Sequence, residues 1–308
     1  MPRRSYLKRI RDFWFYLLIL LLVRFFNFLP RRLAVKLGGL FGLLGYCLFP
    51  KDRQRSIQNL KFAFGTEFSN SRIRQISRES FKNIGECVVD VFRHRKLRRE
   101  GIQELVKVEG LEYFDQAYRR KRGMVAITGH ISNFELMAAY FSQSGYKVSV
   151  VGREIYDERL NRLLVENREI MGMKDIDADA SPKEFIKHLR EARVIGVLID
   201  QDSRRFRGVF VNFFGRDAYT PVAPFVIAQR TNSPIVPTAI FRNRDYTYTL
   251  KVDPAIPFPD TGDEEKDILT VVQRCTDFLE RIIREHPEQW VWMHRRWRTR
   301  PEEDKDRK

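Results

Sequence analysis

Cysteine is scarce in this chain. Cys47, Cys87 and Cys275 are the only three in 308 residues. They are too few and too scattered for a disulfide framework and read as reduced thiols with no redox role. No CxxC or HExxH occurs, and the five histidines never pair at ligand spacing, so no metal is expected. Long apolar runs are few. A mean hydropathy of -0.41 excludes a polytopic membrane protein. There is no internal repeat and no long linker. Disorder is excluded by the opposite abundance, 43% hydrophobic residues. What the chain has in excess is positive charge: 56 Lys and Arg against 40 Asp and Glu, a net charge of +16. That balance suits nucleic acid, an anionic membrane surface, or an acidic protein or substrate. Nucleic acid fits worst, because no recognition motif is present and the basic residues are interleaved with acidic ones along the helices.

The N-terminus points to a membrane. Arg3, Arg4, Lys8, Arg9 and Arg11 precede FWFYLLILLLV (Phe13 to Val23), then Arg24 and FFNFLP. Through Leu29 this stretch falls short of the roughly 20 residues a relaxed span prefers. No small-residue cleavage site follows, which argues against a signal peptide. Two readings stay open: a transmembrane anchor with Arg24 snorkelling, or a helix lying in the interface. LAVKLGGLFGLLGYCLF (Leu33 to Phe49) is apolar and Gly-rich and reads as an amphipathic helix or helical hairpin. Arg31, Arg32 and Lys36 lie on one side of it, Lys51, Arg53 and Arg55 on the other. Positive charge on both sides favours attachment to one anionic leaflet. Residues 1–55 are expected to form a membrane anchor and interfacial segment, and 56–308 a catalytic domain.

From about residue 56 the pattern becomes globular. Ser71 to Arg93 spaces its apolar residues as one face of a helix. Strands are expected at 124–128, 147–151, 194–199, 234–241 and 246–252, the last antiparallel to its predecessor. Helices are expected at 134–144, 157–171, 182–192, 221–229 and 267–286. GVFVNFFGRDAYTP (208–221) reads as an aromatic loop, either lining an apolar channel or forming a buried hairpin. Residues 260–267 read as an acidic surface loop, and 301–308 as a solvated tail. The alternation implies an α/β fold with a mostly parallel mixed sheet covered by helices, preceded by an N-terminal hydrophobic membrane helix.

Ligands in open α/β sheets sit at the carboxyl ends of strands. There MVAIT runs into Gly129-His130-Ile131-Ser132-Asn133-Phe134-Glu135. An imidazole in that place can take a hydroxyl proton as the hydroxyl attacks, and a carboxylate on its other nitrogen fixes the tautomer. Glu135 is the carboxylate at hand. Ser132 and Glu135 equally form S-x-x-E, a capping box, and the spacing does not choose between these roles. LIDQD ends a second buried strand with Asp200 and Asp202.

GHISNFE, IDQD, GVFVNFFGR, a Thr-Pro before a helix, PIVPTAIF and HPEQWVWMHRRWRTRP stand in this order. From about Arg24 to Pro301 the chain thereby resembles the late, lauroyl- and myristoyl-type acyltransferases of lipid A biosynthesis. The resemblance implies a glycerolipid-acyltransferase-like fold and an enzyme at the cytoplasmic face of the Gram-negative inner membrane. It implies acyl carrier protein as donor, its phosphopantetheine carrying the chain, with no cofactor of the enzyme's own. It implies an anionic glycolipid acceptor, a Kdo-bearing lipid A precursor acylated on a 3-hydroxyacyl chain. His130 and Glu135 match the family's dyad, with His130 as base oriented by Glu135. Arg168, Asp200 and, more loosely, Arg153 match further functional positions. An acyltransferase for another membrane glycolipid and a non-catalytic basic membrane protein are the rival readings.

Overall fold

The computed structural model describes residues 6–301, with side chains from Ile10 onward. The first basic residues, Arg3 and Arg4, and the expected tail beyond Pro301 lie outside the described residues.

Four helices lead: α1 (Tyr6–Phe28), α2 (Arg31–Leu48), α3 (Pro50–Phe64) and α4 (Asn70–Phe92). A short α5 (His94–Glu100) follows, then β1 (Val106–Glu109), α6 (Leu111–Tyr118), β2 (Met124–Thr128), α7 (Phe134–Gln143) and β3 (Val148–Gly152). The alternation continues through α8 (Glu158–Ile170), β4 (Lys174–Asp177), α9 (Pro182–Arg190) and β5 (Val194–Leu198). A hairpin of β6 (Gly208–Phe213) and β7 (Arg216–Pro221) leads to α10 (Ala223–Thr231), β8 (Ile235–Arg242), β9 (Tyr248–Val252) and α11 (Glu264–Glu285).

Seven strands form one sheet in the order β1-β9-β8-β2-β5-β3-β4. Only the β8–β9 pair is antiparallel, as the sequence predicts. The α/β class and the helical cover also match expectation. β2 is buried along its whole length because both faces are covered. Val125 and Ile127 point to a core with Phe225, Val271 and Phe278 from α10 and α11. Met124 and Ala126 alternate to the other face, against Leu136 and Met137 of α7 and Phe114 of α6. The 208–221 stretch is the hairpin, with Phe213 and Phe214 packed into the first of these cores. The 260–267 segment is only partly a loop: α11 begins at Glu264, capped by the Asp263 carboxylate on the Glu265 and Lys266 amides.

The N-terminal transmembrane helix is not supported. Among the described residues no single helix is long and apolar enough to cross a membrane. Arg11 and Asp12 before, and Arg24 after, limit the longest uncharged run of α1 to Phe13 to Val23. Asn27 also ties the end of α1 down, donating to the Phe92 carbonyl of α4 at 2.8 Å. The helices α2 and α3 pass the length and composition test together, yet they bend by 94° about Phe49. α2 is docked on α4 through glycines: a Cβ on Gly85 would lie 2.1 Å from the Gly38 carbonyl oxygen, and one on Gly42 2.2 Å from that of Phe81. Arg31 at the start of α2 makes a bidentate pair with buried Asp90 of α4, at 2.9 and 2.8 Å. The outer surface of these helices stays apolar, with Phe13, Trp14, Leu18 and Leu21 on α1 and Leu40, Leu44 and Leu48 on α2 exposed.

Candidate active site

The site grows out of strand register. β2 and β5 run parallel with Thr128 opposite Leu198. The Ile199 amide still donates to the Thr128 carbonyl at 3.0 Å. Two residues past each strand end, the same register sets His130 beside Asp200. Gly129 allows the approach, since a Cβ there would meet Asp200 Oδ2 at 2.9 Å.

Asp200 accepts three hydrogen bonds. Its Oδ1 lies 2.7 Å from His130 Nδ1. Its Oδ2 takes the His130 amide at 2.6 Å and the Trp290 indole at 2.7 Å. Burial by itself drives this carboxyl pKa up. The His130 ring, with His294 and the Trp290 indole, outweighs burial and holds the group below the usual carboxylate range. An ionised Asp200 places the proton on Nδ1 and leaves Nε2 as the basic nitrogen. Nε2 faces the Gln201 amide nitrogen at 3.0 Å.

The loop that carries His130 is held from the C-terminal segment. Ile131 forms an antiparallel bridge with Trp290. The Ser132 amide donates to the Gln289 carbonyl at 2.7 Å, and the Val291 amide to the His130 carbonyl at 3.2 Å. Ser132 takes a left-handed φ of 46°, where a non-glycine residue is uncommon. Asn133, not Ser132, caps α7, its side chain accepting from the Leu136 amide at 3.0 Å.

The expected partnership of Glu135 with His130 is therefore corrected, and so is the capping box. Glu135 lies in the first turn of α7 and turns toward α8. There it binds Arg168 through Nε at 3.0 Å and, in parallel, through Nη2 to Oε1. Arg168 spends its remaining terminal nitrogen on Asp175 of β4. Burial opposes the charge on Arg168, but the two carboxylates prevail and raise its pKa. Burial likewise raises Asp175. Arg168 is thus a brace joining α7, α8 and β4. Arg153 is exposed just past β3 and makes no hydrogen bond or ion pair among the described residues.

Sequence reasoning missed three neighbours. Gln201 lies between the two aspartates of IDQD. Trp290 supports Asp200. His294 packs its ring edge-on to His130, with centroids 4.6 Å apart and planes at 84°. Three tryptophans and a histidine within PEQWVWMHRRW, a run too rich in large side chains for a surface turn, were the available signal. Among the described residues no group of three or more His, Cys, Asp and Glu is placed to hold a metal.

An imidazole anchored by a buried carboxylate at the end of a parallel strand is an arrangement suited to moving a proton during group transfer. Over residues 1–299 the chain matches the family model of bacterial lipid A biosynthesis acyltransferases, and it belongs to that family. It is 27% identical over 305 residues to a lipid A biosynthesis acyltransferase of Haemophilus influenzae, covering 94% of this chain and 92% of that protein. It is also 27% identical to the lipid A biosynthesis lauroyltransferase of Escherichia coli, covering 89% and 88%. A phosphatidylinositol mannoside acyltransferase of Mycobacterium tuberculosis is 25% identical over 71% of this chain and 69% of that one. The protein is an acyltransferase.

Proposed function

We propose that this acyltransferase moves a fatty acyl chain from the thioester of acyl carrier protein to a hydroxyl of a 3-hydroxyacyl chain on a Kdo-bearing lipid A precursor. The observation that carries the reading is His130 at the carboxyl end of β2, with Nδ1 held 2.7 Å from buried Asp200. His130 Nε2 takes the acceptor's proton as the oxygen attacks the thioester carbon, and Asp200 balances the resulting imidazolium. The thiolate leaving group then recovers that proton. Glu135 acts through Arg168, fixing α7 and hence the loop that presents His130. Exposed Arg153, at the same end of the sheet, is suited to an acidic group of the acceptor.

The net charge of +16 favours both an acidic carrier protein and a phosphorylated glycolipid. The exposed apolar side chains of α1 and α2 are suited to the headgroup boundary of the inner membrane at its cytoplasmic face, where the acceptor resides. Residues 1–55 then serve as an interfacial anchor and the remainder as the catalytic unit. Mass spectrometry of lipid A from a strain lacking its own late acyltransferase tests this. The gene is expected to add one acyl mass increment and the His130→Ala gene none. An increment on a different glycolipid instead would move the acceptor assignment.

A further inference from the structure

The active site holds a second histidine that the base mechanism does not use. His294 sits in the turn after α11, and its placement is enforced on both sides. Buried Asn59 of α3 donates to the Trp292 and His294 carbonyls, both at 2.7 Å. On the other side Trp290 bridges to Ile131. Asp202 then fixes the chain beyond by accepting from the Thr299 amide at 2.6 Å and its hydroxyl at 2.8 Å. A turn built only for packing would not need to bring a polar ring within 4.6 Å of the base.

The ring has hydrogen-bonding capacity to spare. The Gln201 amide nitrogen is 3.4 Å from both its Nδ1 and its Nε2, so it engages neither head-on. Among the described residues no other group hydrogen-bonds the His294 ring. The same Gln201 nitrogen is 3.0 Å from His130 Nε2. The Gln201 amide and a second imidazole ring therefore stand together beside His130, the amide on its Nε2.

We propose that His294 and Gln201 form the donor pair that receives the carbonyl oxygen of the acyl thioester as it becomes an oxyanion. The assignment rests on the thioester-dependent transfer proposed above. The acceptor hydroxyl displaces the Gln201 amide from His130 Nε2. Its oxygen forms the new bond to the thioester carbon while its proton passes to Nε2. The carbonyl π pair moves onto oxygen, where the N–H groups of His294 and Gln201 hold it. The pair then returns, the C–S bond breaks, and the thiolate takes the proton from His130.

Burial and the neighbouring His130 push His294 down to about 4, against the pull of Asp200. It therefore stays neutral near pH 7. Two adjacent cationic imidazoles would repel, whereas a neutral ring keeps an N–H to donate while His130 becomes charged.

Two acyl-pantetheine analogues make the test. One is a thioether with a methylene in place of the carbonyl. The other is a trifluoromethyl ketone, whose hydrate mimics the tetrahedral intermediate. Losing one oxyanion donor typically lowers turnover about 100- to 1,000-fold. His294→Ala is expected to lose about 100-fold in kcat and in affinity for the ketone, with thioether affinity within about threefold. His294→Gln keeps an N–H and most of the volume, and is expected to regain about tenfold of the loss; it carries the test should the alanine variant not fold. Equal weakening of both analogues would show a packing role only. Turnover of folded His294→Ala within about threefold of wild type would overturn the proposal outright. Absence of wild-type transfer from the carrier thioester to the lipid A precursor would instead remove the parent reading, and the binding comparison would still decide the role of His294.

Discussion

Asp200 holds His130 at two points, taking the ring Nδ1 on one carboxylate oxygen at 2.7 Å and the backbone amide on the other at 2.6 Å. The same carboxylate thus sets the tautomer of the His130 ring and the position of its backbone. The Trp290 indole, at 2.7 Å, keeps the carboxylate from turning. Glu135, the carboxylate nearer in sequence, serves Arg168 instead.

That division of labour gives an order of mutational effects. His130→Ala is expected to lower turnover by on the order of 10²–10⁴-fold in a folded protein. Asp200→Asn is expected to lose a comparable factor, because an amide on Nδ1 no longer fixes the proton there. Glu135→Gln is expected to cost mainly stability, on the order of 1–3 kcal/mol, since Arg168 loses a charged partner but keeps Asp175. Urea melts beside steady-state kinetics measure both. If Glu135→Gln lost as much turnover as Asp200→Asn at unchanged stability, Glu135 would be the partner of the base during reaction.

One buried histidine, His94, and one half-buried histidine, His294, give the fold an acid limb. Burial pushes both His94 and His294 down to about 4, with His130 adding to the effect on His294. The unfolded value is about 6.5. Between these values the unfolded chain binds more protons, so stability is complete above about pH 6.5 and falls as pH drops toward 4. Each ring contributes up to ~3 kcal/mol across that window. His94→Gln is expected to remove about one proton from the pH dependence measured by denaturant titration at pH 7 and 4.5. A wild-type midpoint that stays flat over this range would contradict the assignment.

The α2–α4 contact has no room for a methyl group. With its Cβ 2.1 Å from the Gly38 carbonyl oxygen, Gly85→Ala forces the helices apart. The expected cost is about 1–3 kcal/mol. Gly145 has nothing within 4 Å of an added Cβ, but its φ of 95° makes alanine there a strain control rather than a packing one. Thermal melts are expected to show a lower midpoint for Gly85→Ala, and an unchanged one would mean that the helices slide without penalty.

Leu40, Leu44 and Leu48 stand one turn apart on α2, each more than half exposed. If this stripe meets the membrane, each Leu→Ser change removes on the order of 1–2 kcal/mol of apolar burial. The triple variant is expected to sediment with anionic vesicles at least ~100-fold more weakly, while its melt is little changed. Vesicle binding equal to that of wild type would place membrane contact elsewhere.

The sequence alone determined the layered α/β fold, the strand bearing MVAIT and the position of His130 just past its end. Those properties are local. Hydrophobic period and helix punctuation report the element in which they occur, and a fully apolar run bounded by glycines needs cover on both faces. It did not determine which side chain faces His130. Glu135 is near in sequence, but helical rotation from Phe134 carries it to Arg168. Asp200 is 70 residues away and arrives because β5 lies beside β2 in the sheet. Strand order departs from chain order, so no local pattern encodes that neighbour. The same holds for Gln201, His294 and Trp290. They meet at one strand end only after α11 has packed on the sheet and returned the C-terminal tryptophans beneath the catalytic loop. The first two helices tell a similar story: hydropathy marked α1 and α2 as membrane-facing, but only packing showed that α2 is locked to α4 by backbone approach and the Arg31–Asp90 pair.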